Sequence, residues 1–252
     1  MEMNQHNLTE WSGDELLRYR RQLLLPEIGE AGQARLKAAH VMVVGAGALG
    51  SSSAYYLAAA GVGRLTVVDG DRVDASNLQR QIIHATVDIG RLKVESARDK
   101  LSALNPHVSI GTVAEMFDGG NAQSLLQGVD FVVDATDNYE SKFLINDMCV
   151  AAGIPFTHGS ISRYSGQVMT WVKGAPCYRC LFPEPPAAEP PAGPFGVIPG
   201  VVGSVQAAEA IKYVAGIGKL LTGRLLTVDL LTMSFVTFTF SRDKACVCCG
   251  GQ

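Results

Sequence analysis

The sequence predicts an α/β fold, a Rossmann-like, mostly parallel sheet with flanking helices behind an N-terminal helical arm. Three observations carry this. Residues 41–69 form an ordered run of strand, glycine loop, helix, strand and acid. Strand and helix patterns then alternate through the first two-thirds of the chain. The 252 residues are 47% hydrophobic and 18% charged, which suits one compact domain with a sizeable core. Residues 1–40 read as the arm, with arginines at Arg18, Arg20 and Arg21, and residues 41–252 as the nucleotide-binding domain.

Val41–Val44 is a short β-branched run, as in a strand buried on both faces. Gly45, Gly47 and Gly50 follow at G-x-G-x-x-G spacing. The first turns the chain, the second lets a phosphate approach the backbone, and the third lets helix and strand pack closely. Ala48–Ala60, small and proline-free, continues as a helix whose N-terminal N–H groups suit an anion. Leu65–Val68 is the next strand. Asp69 ends it, 24 residues after Gly45, near the usual place for an acid that holds ribose hydroxyls, whether of NAD or ATP. Asp88 is expected to cap a helix running to Asn105, stopped by Pro106. Val108–Ala114 is a strand, Asn121–Gln127 a short helix and Asp130–Ala135 a buried strand ending at T-D-N. Glu140–Ala152 is a helix stopped by Gly153. Ile154–Ser160 and Gln167–Lys173 are strands. Residues 183–199 hold seven of the eleven prolines and are expected to be extended rather than helical. Val201–Ala215 returns to helix. Leu225–Asp229 and Ser234–Phe240 are strands, the last alternating and so half-exposed.

Which nucleotide is bound turns on the polar residues around this frame. Asn77, Gln79 and Arg80 follow the acidic turn Asp69–Asp74, Lys93 lies on the next helix, and Arg21 on the arm. Asp137 follows the carboxyl end of a strand, where open parallel sheets place ligands. Together they supply cations for a triphosphate and a carboxylate for a metal, which nucleotidyl transfer needs and hydride transfer does not.

Cys177-x-x-Cys180 and Cys246-x-x-Cys249 are two pairs separated by 65 residues. Four thiolates from two tight turns complete a closed tetrahedral site suited to structural Zn²⁺ beside the C-terminal strands. Such a site has no open position from which to activate water. Cys248 competes with Cys249 only at distorted spacing. Cys149, on an apolar helix, reads as a small buried hydrophobe.

G-A-G-A-L-G, D-x-D at Asp69 and Asp71, S-N-L-Q-R-Q, Lys93 in G-R-L-K, and D-A-T-D-N together resemble the ThiF/MoeB/HesA family of bacterial relatives of ubiquitin-activating enzymes. R-Y-R-R-Q-L-L-L-P-E-I-G and Q-A-A-E-A-I-K fit as well, so the resemblance spans about residues 15–250. It implies an adenylyltransferase that binds MgATP and a small ubiquitin-like sulfur carrier ending in Gly-Gly. The carrier's carboxylate attacks the α-phosphate, releasing pyrophosphate, and the acyl-adenylate then receives sulfur as a thiocarboxylate. By motif match, Gly47 and the loop amides contact the nucleotide, Asp69 holds the ribose, and Asn77, Arg80 and Lys93 hold phosphates. Asp137, followed by Asn138, holds Mg²⁺; Asp137, Arg80 and Lys93 are the expected catalytic set. Arg21 matches an arginine that reaches the partner subunit's site, so a homodimer is implied, and the family carries zinc at the same two cysteine pairs. A carboxylate nucleophile is already ionised at neutral pH, its reference pKa being about 3.5. No general base is therefore required, and His84 and His158 are read as structural.

Many relatives carry a cysteine in the loop after the first C-x-x-C; residues 181–200 here have none. Adenylation without a covalent loop-thiol link is expected. No fused sulfurtransferase module is expected after Cys249, and a separate desulfurase or rhodanese is the expected sulfur donor. Thiamine and molybdopterin pathways are the candidate destinations, with tRNA thiolation or a secondary-metabolite carrier as alternatives. An NAD-dependent oxidoreductase and a zinc-stabilised protein that binds ATP without catalysis are the competing readings. A net charge of −3 gives no electrostatic case for nucleic acid. With no basic apolar leader and no membrane-length apolar run, a cytoplasmic location is expected.

Overall fold

The computed structural model describes residues 11–186 and 193–250. Its elements run α1 (Gly13–Leu23), α2 (Gly29–Ala38), β1 (His40–Val44), α3 (Ala48–Ala60), β2 (Arg64–Val68), α4 (Lys93–Leu104), β3 (Ser109–Val113), α5 (Ala122–Leu125), β4 (Phe131–Asp134), α6 (Tyr139–Ala152), β5 (Phe156–Ser162), β6 (Ser165–Trp171), α7 (Tyr178–Leu181), α8 (Ile198–Ala215), β7 (Arg224–Asp229) and β8 (Ser234–Thr239). The eight strands form one sheet in the order β3-β2-β1-β4-β5-β6-β7-β8. The first five are parallel; β6, β7 and β8 add antiparallel. The parallel half has the doubly wound order, and its direction of winding reverses between β1 and β4, where such sheets leave a crevice above the strand ends.

The central strands β1 and β4 are continuous apolar runs because they are buried on both faces. Val41 and Val43 face a core of α3, α4 and α8 side chains. Met42 and Val44, pointing the other way, face α6 and the C-terminal cysteines. α3 and α8 lie against each other, and small residues bring them close: a Cβ on Gly203 would stand 2.1 Å from Ser52 Oγ. The late Q-A-A-E-A-I-K run supplies the helix-to-sheet anchors of α8. Buried Gln206 donates to the Asp134 carbonyl at 2.6 Å, and buried Glu209 accepts from Thr170 Oγ1 at 2.6 Å and from the Leu221 amide at 2.7 Å.

Among the described residues, the arm is two helices, α1 and α2. Tyr19 of α1 is buried and accepts a hydrogen bond from Asn105 at 2.8 Å, beside Gly61 at the far end of α3. The expected helix from Asp88 begins instead at Lys93. Asp88 closes a short 3-10 turn, its carboxylate holding the Ala85 amide, Arg91 and Lys100. Gly90, at φ +86°, interrupts any helix through this point. The proline-rich segment ends two residues sooner than expected, because α8 starts at Ile198 with Pro199 in its first turn, where the missing N–H has no helical partner to lose. β8 is exposed along its whole length rather than half-exposed, because as the edge strand nothing among the described residues covers either face. No helix of the described residues is long and apolar enough to cross a membrane.

Candidate nucleotide site and cysteine cluster

A cavity of about 430 Å³ opens above the carboxyl ends of β1, β2 and β4. Its floor is the glycine loop. Gly45 has φ +103°, and a Cβ there would stand 2.6 Å from the Ala135 carbonyl oxygen; one on Gly50 would stand 1.9 Å from the Gly45 carbonyl oxygen. Both glycines let the loop press against β4 and the first turn of α3. Gly47 meets no such obstacle. It is the N-cap of α3 and makes no side-chain cap, so the first amides of α3 remain for an anion.

The cavity gathers Gly45, Gly47, Asp69, Asp71, Arg80, Lys93, Asp137 and Asn138 from separate strand ends. Asp69 also braces the loop, accepting from the Ala46 amide at 2.8 Å and the Asp71 amide at 2.8 Å. Lys93 is buried, with Nζ 2.8 Å from Asp71. Arg80 donates to the Ser76 carbonyl at 3.0 Å. Asp137 is exposed, and among the described residues no hydrogen bond or ion pair engages its carboxylate. Asn138 turns away to cap α6, accepting from the Ser141 amide at 2.8 Å.

Four expected binding residues do not line the cavity. Gly50 lies beneath the loop as packing. Asn77 sits in the turn before Arg80, bonded to Ser76 at 3.3 Å, and Gln79 lies against Gly196. Arg21 is exposed on α1, which packs against the opposite end of α3 from the glycine loop. A helix of that length spans about 20 Å, so Arg21 does not reach the cavity of its own chain.

Other residues at the site had no motif to announce them. Asp134, the last residue of β4, is fully buried and accepts from Thr136 Oγ1 at 2.6 Å and from His158 Nδ1 at 2.9 Å. Lys142, one helical turn into α6, is also buried and lines the cavity. Burial works against an ionised Asp134, but the Lys142 charge and the His158 hydrogen bond hold its pKa at about 2. Gln81, also in the cavity wall, has a buried Oε1 without a partner among the described residues. The helical spacing between Asn138 and Lys142 was the one available signal for the lysine; nothing local marked its burial.

Both histidines named in the sequence are structural. His84 Nε2 meets the Ala46 carbonyl at 2.9 Å, so that nitrogen carries the proton and Nδ1 accepts from Ser96 at 2.9 Å. His158 Nδ1 meets Asp134 at 2.9 Å, and as donor to that carboxylate it carries the ring proton. Burial lowers both imidazole pKa values below 6.5, with the Lys93 charge adding at His84 and the Lys142 charge at His158. Both groups therefore bind protons more readily when unfolded. Stability is predicted to fall as pH drops through 6.5, by up to about 1.4 kcal/mol per pH unit for each histidine. Urea melts at pH 7.5, 6.5 and 5.5 would measure this; a midpoint that does not move would refute it.

The cysteines form a second centre. Cys177, Cys180, Cys246 and Cys249 place all four sulfurs within 4.8 Å of one another; Cys177 and Cys246 are 3.7 Å apart, Cys180 and Cys249 3.4 Å. Zinc–sulfur bonds of 2.3 Å in a tetrahedron set sulfurs about 3.8 Å apart, so the four thiols could hold that ion. Burial pushes the Cys180 thiol up to about 12, a cost that a bound dication would reverse. Cys249, not Cys248, completes the set; Cys248 instead accepts from Asn146 at 3.4 Å. Cys149 is fully buried, as expected.

A doubly wound sheet with a cationic, carboxylate-bearing cavity above a glycine loop defines a nucleotide-binding α/β protein. The ThiF family model matches residues 19–248, and the chain belongs to the ThiF family. It is 47% identical over 253 residues to a sulfur carrier protein adenylyltransferase of Thermus thermophilus, covering 96% of this chain and 93% of that protein. It is 46% identical over 243 residues to the SAMP-activating enzyme E1 of Haloferax volcanii, covering 94% and 89%. Against the mouse adenylyltransferase and sulfurtransferase MOCS3 it is 45% identical, spanning 96% of this chain and 54% of that one. Among solved structures, Escherichia coli MccB with MccA-N7isoASN superposes with a TM-score of 0.85 at 21% identity, over 96% of this chain and 76% of that one.

Proposed function

We propose that this protein is a sulfur-carrier adenylyltransferase. The observation that carries the reading is the convergence of Arg80, Lys93 and Asp137 on one cavity above the α3 N-terminus. ATP lies with its phosphates along the glycine loop and its ribose at Asp69. Arg80 and Lys93, which line the cavity, neutralise the phosphates. Once ATP arrives, Lys93 exchanges Asp71 for phosphate oxygens. Asp137 has an exposed carboxylate with no competing partner, which fits a Mg²⁺ ligand. Bound there, Mg²⁺ would supply charge neutralisation for the departing pyrophosphate.

The substrate is the C-terminal Gly-Gly carboxylate of a small ubiquitin-like carrier. One carboxylate oxygen forms a bond to the α-phosphorus, the bond from that phosphorus to the bridging oxygen breaks, and pyrophosphate leaves. The nucleophile is already an anion, so the site needs alignment and positive charge rather than a base. Buried, hydrogen-bonded His84 and His158 agree with that. The Arg21 position, a helix length from its own cavity, favours a homodimer in which each arm serves the other subunit. The cysteine cluster holds zinc as a structural tie. Sulfur comes from a separate desulfurase or rhodanese-type protein, in the cytoplasm, toward thiamine or molybdopterin or a related carrier pathway.

The test is ATP–pyrophosphate exchange with candidate Gly-Gly carriers. Exchange is expected only with a carrier present. No thiol-sensitive covalent enzyme–carrier adduct should form, because residues 181–200, of which 187–192 lie outside the described residues, contain no cysteine. Carrier-independent exchange or a reducible adduct would each count against this scheme.

A further inference from the structure

We propose that Lys142 is a positioning residue that sets the Asp137 carboxylate for its metal, an inference that rests on the adenylation reading above. Thr136 and Asp137 share one peptide unit, so whatever holds the Thr136 carbonyl orients the plane from which the Asp137 side chain departs. Lys142 Nζ donates to that carbonyl at 2.7 Å and to the Gly159 carbonyl on β5 at 2.6 Å. The ammonium thus ties the loop bearing Asp137 to the next strand of the sheet.

The rest of the loop is fastened around the same point. Asp134 receives the Thr136 amide at 3.1 Å and its hydroxyl at 2.6 Å. The Ala135 amide reaches the Val44 carbonyl at 2.9 Å, and Asn138 caps α6. Asp137 is the one polar side chain of 134–138 that lines the cavity without a hydrogen bond among the described residues.

The donor inventory separates positioning from phosphate binding. An ammonium has three N–H groups. Two are committed to carbonyls, and the third has the two Asp134 carboxylate oxygens and Thr136 Oγ1 within reach, each 3.5 Å away. None is left for a nucleotide, although Lys142 borders the cavity. Its buried charge is balanced by Asp134 rather than by ligand, unlike Lys93, whose partner Asp71 is largely exposed and readily exchanged. Removing the Lys142 tether should therefore weaken the metal and leave metal-free nucleotide binding in place.

The experiment compares wild type with Lys142→Met and Lys142→Arg in two measurements: ATP binding in EDTA, and the Mg²⁺ dependence of carrier-stimulated exchange. For Lys142→Met, ATP affinity in EDTA is expected within threefold of wild type, while the Mg²⁺ concentration for half-maximal exchange rises tenfold or more and saturating Mg²⁺ restores part of the rate. Lys142→Arg keeps the charge but misplaces the donors; it should shift the same Mg²⁺ parameter by a smaller factor, and it carries the test if the methionine variant does not fold. An unchanged Mg²⁺ dependence in the folded variant overturns the proposal. An equal loss of ATP affinity in EDTA overturns it too, by making Lys142 a phosphate ligand. A wild-type protein with no Mg²⁺-dependent exchange defeats the adenylation reading, and this proposal with it, a result visible before any variant is compared.

Discussion

Asp137→Asn is expected to lower carrier-dependent ATP–pyrophosphate exchange by at least 10²- to 10³-fold, the order seen when one charge-stabilising group is removed from a preorganised site. The substitution keeps shape and volume and deletes only the charge. It touches no structural bond: Asn138 caps α6, Asp134 and Lys142 hold the loop, and the Asp137 carboxylate makes no hydrogen bond or ion pair among the described residues, its charge acting on Lys142 only at a distance. Tm should accordingly stay within about 2 °C of wild type, as for an exposed surface change. The same exchange assay and a thermal melt check both halves. Retained exchange removes Asp137 from the metal site. A large drop in Tm would make the effect structural.

Removing one thiol from the proposed zinc cluster should have the largest effect on stability. Cys177→Ser or Cys249→Ser is predicted to lose bound zinc and to lower Tm by about 10 °C. That corresponds to a few kcal/mol in a chain of this size, at roughly 2–4 °C per kcal/mol. That loss is well below the about 10–16 kcal/mol of structural zinc sites in isolated peptides, because the core packed between α3, α4, α8 and the sheet contains none of the cysteines. Cys248→Ser should keep one zinc per chain and a near-wild-type Tm, since Cys248 accepts from Asn146 and is not one of the four sulfurs that lie within 4.8 Å of one another. Metal content and melts of the three variants decide this; a zinc-free wild type or a zinc-losing Cys248→Ser would refute it.

The effect should extend to catalysis. Tyr178 follows Cys177 in α7, and its ring lies 4.2 Å from the His158 ring and 5.0 Å from the Phe143 ring. His158 in turn donates to Asp134 at the base of the Asp137 loop. Loosening the cysteine cluster therefore disturbs the packing behind the Asp137 loop, and exchange should fall along with stability.

Much of this was legible in the chain itself. Gly45 and Gly50 had to be glycine for contacts that spacing alone implied, and the two C-x-x-C pairs met as expected. Strands β1 and β4 were readable because a central parallel strand buries both faces, leaving a continuous apolar run. Less visible were the features that depend on packing. Asp88 looked like a helix cap until the turn at Gly90 gave its carboxylate to Arg91 and Lys100. β8 alternates, but its position at the sheet edge leaves both faces open. Short α7 has too few residues for periodicity and exists because Cys177 and Cys180 must point together.

By itself the sequence determined the strand–loop–helix unit, the acid after β2, the cation-rich segment around Arg80 and the pairing of cysteines, because each is set by local spacing and residue chemistry. Only the tertiary structure decided that Cys249 rather than Cys248 joins the cluster, that Arg21 lies a helix length from its own cavity, and that Asp134, Lys142 and His158 lock the loop beneath Asp137. Those outcomes depend on residues far apart in the chain being buried against one another, where low dielectric makes an unpaired charge costly and so dictates its partners.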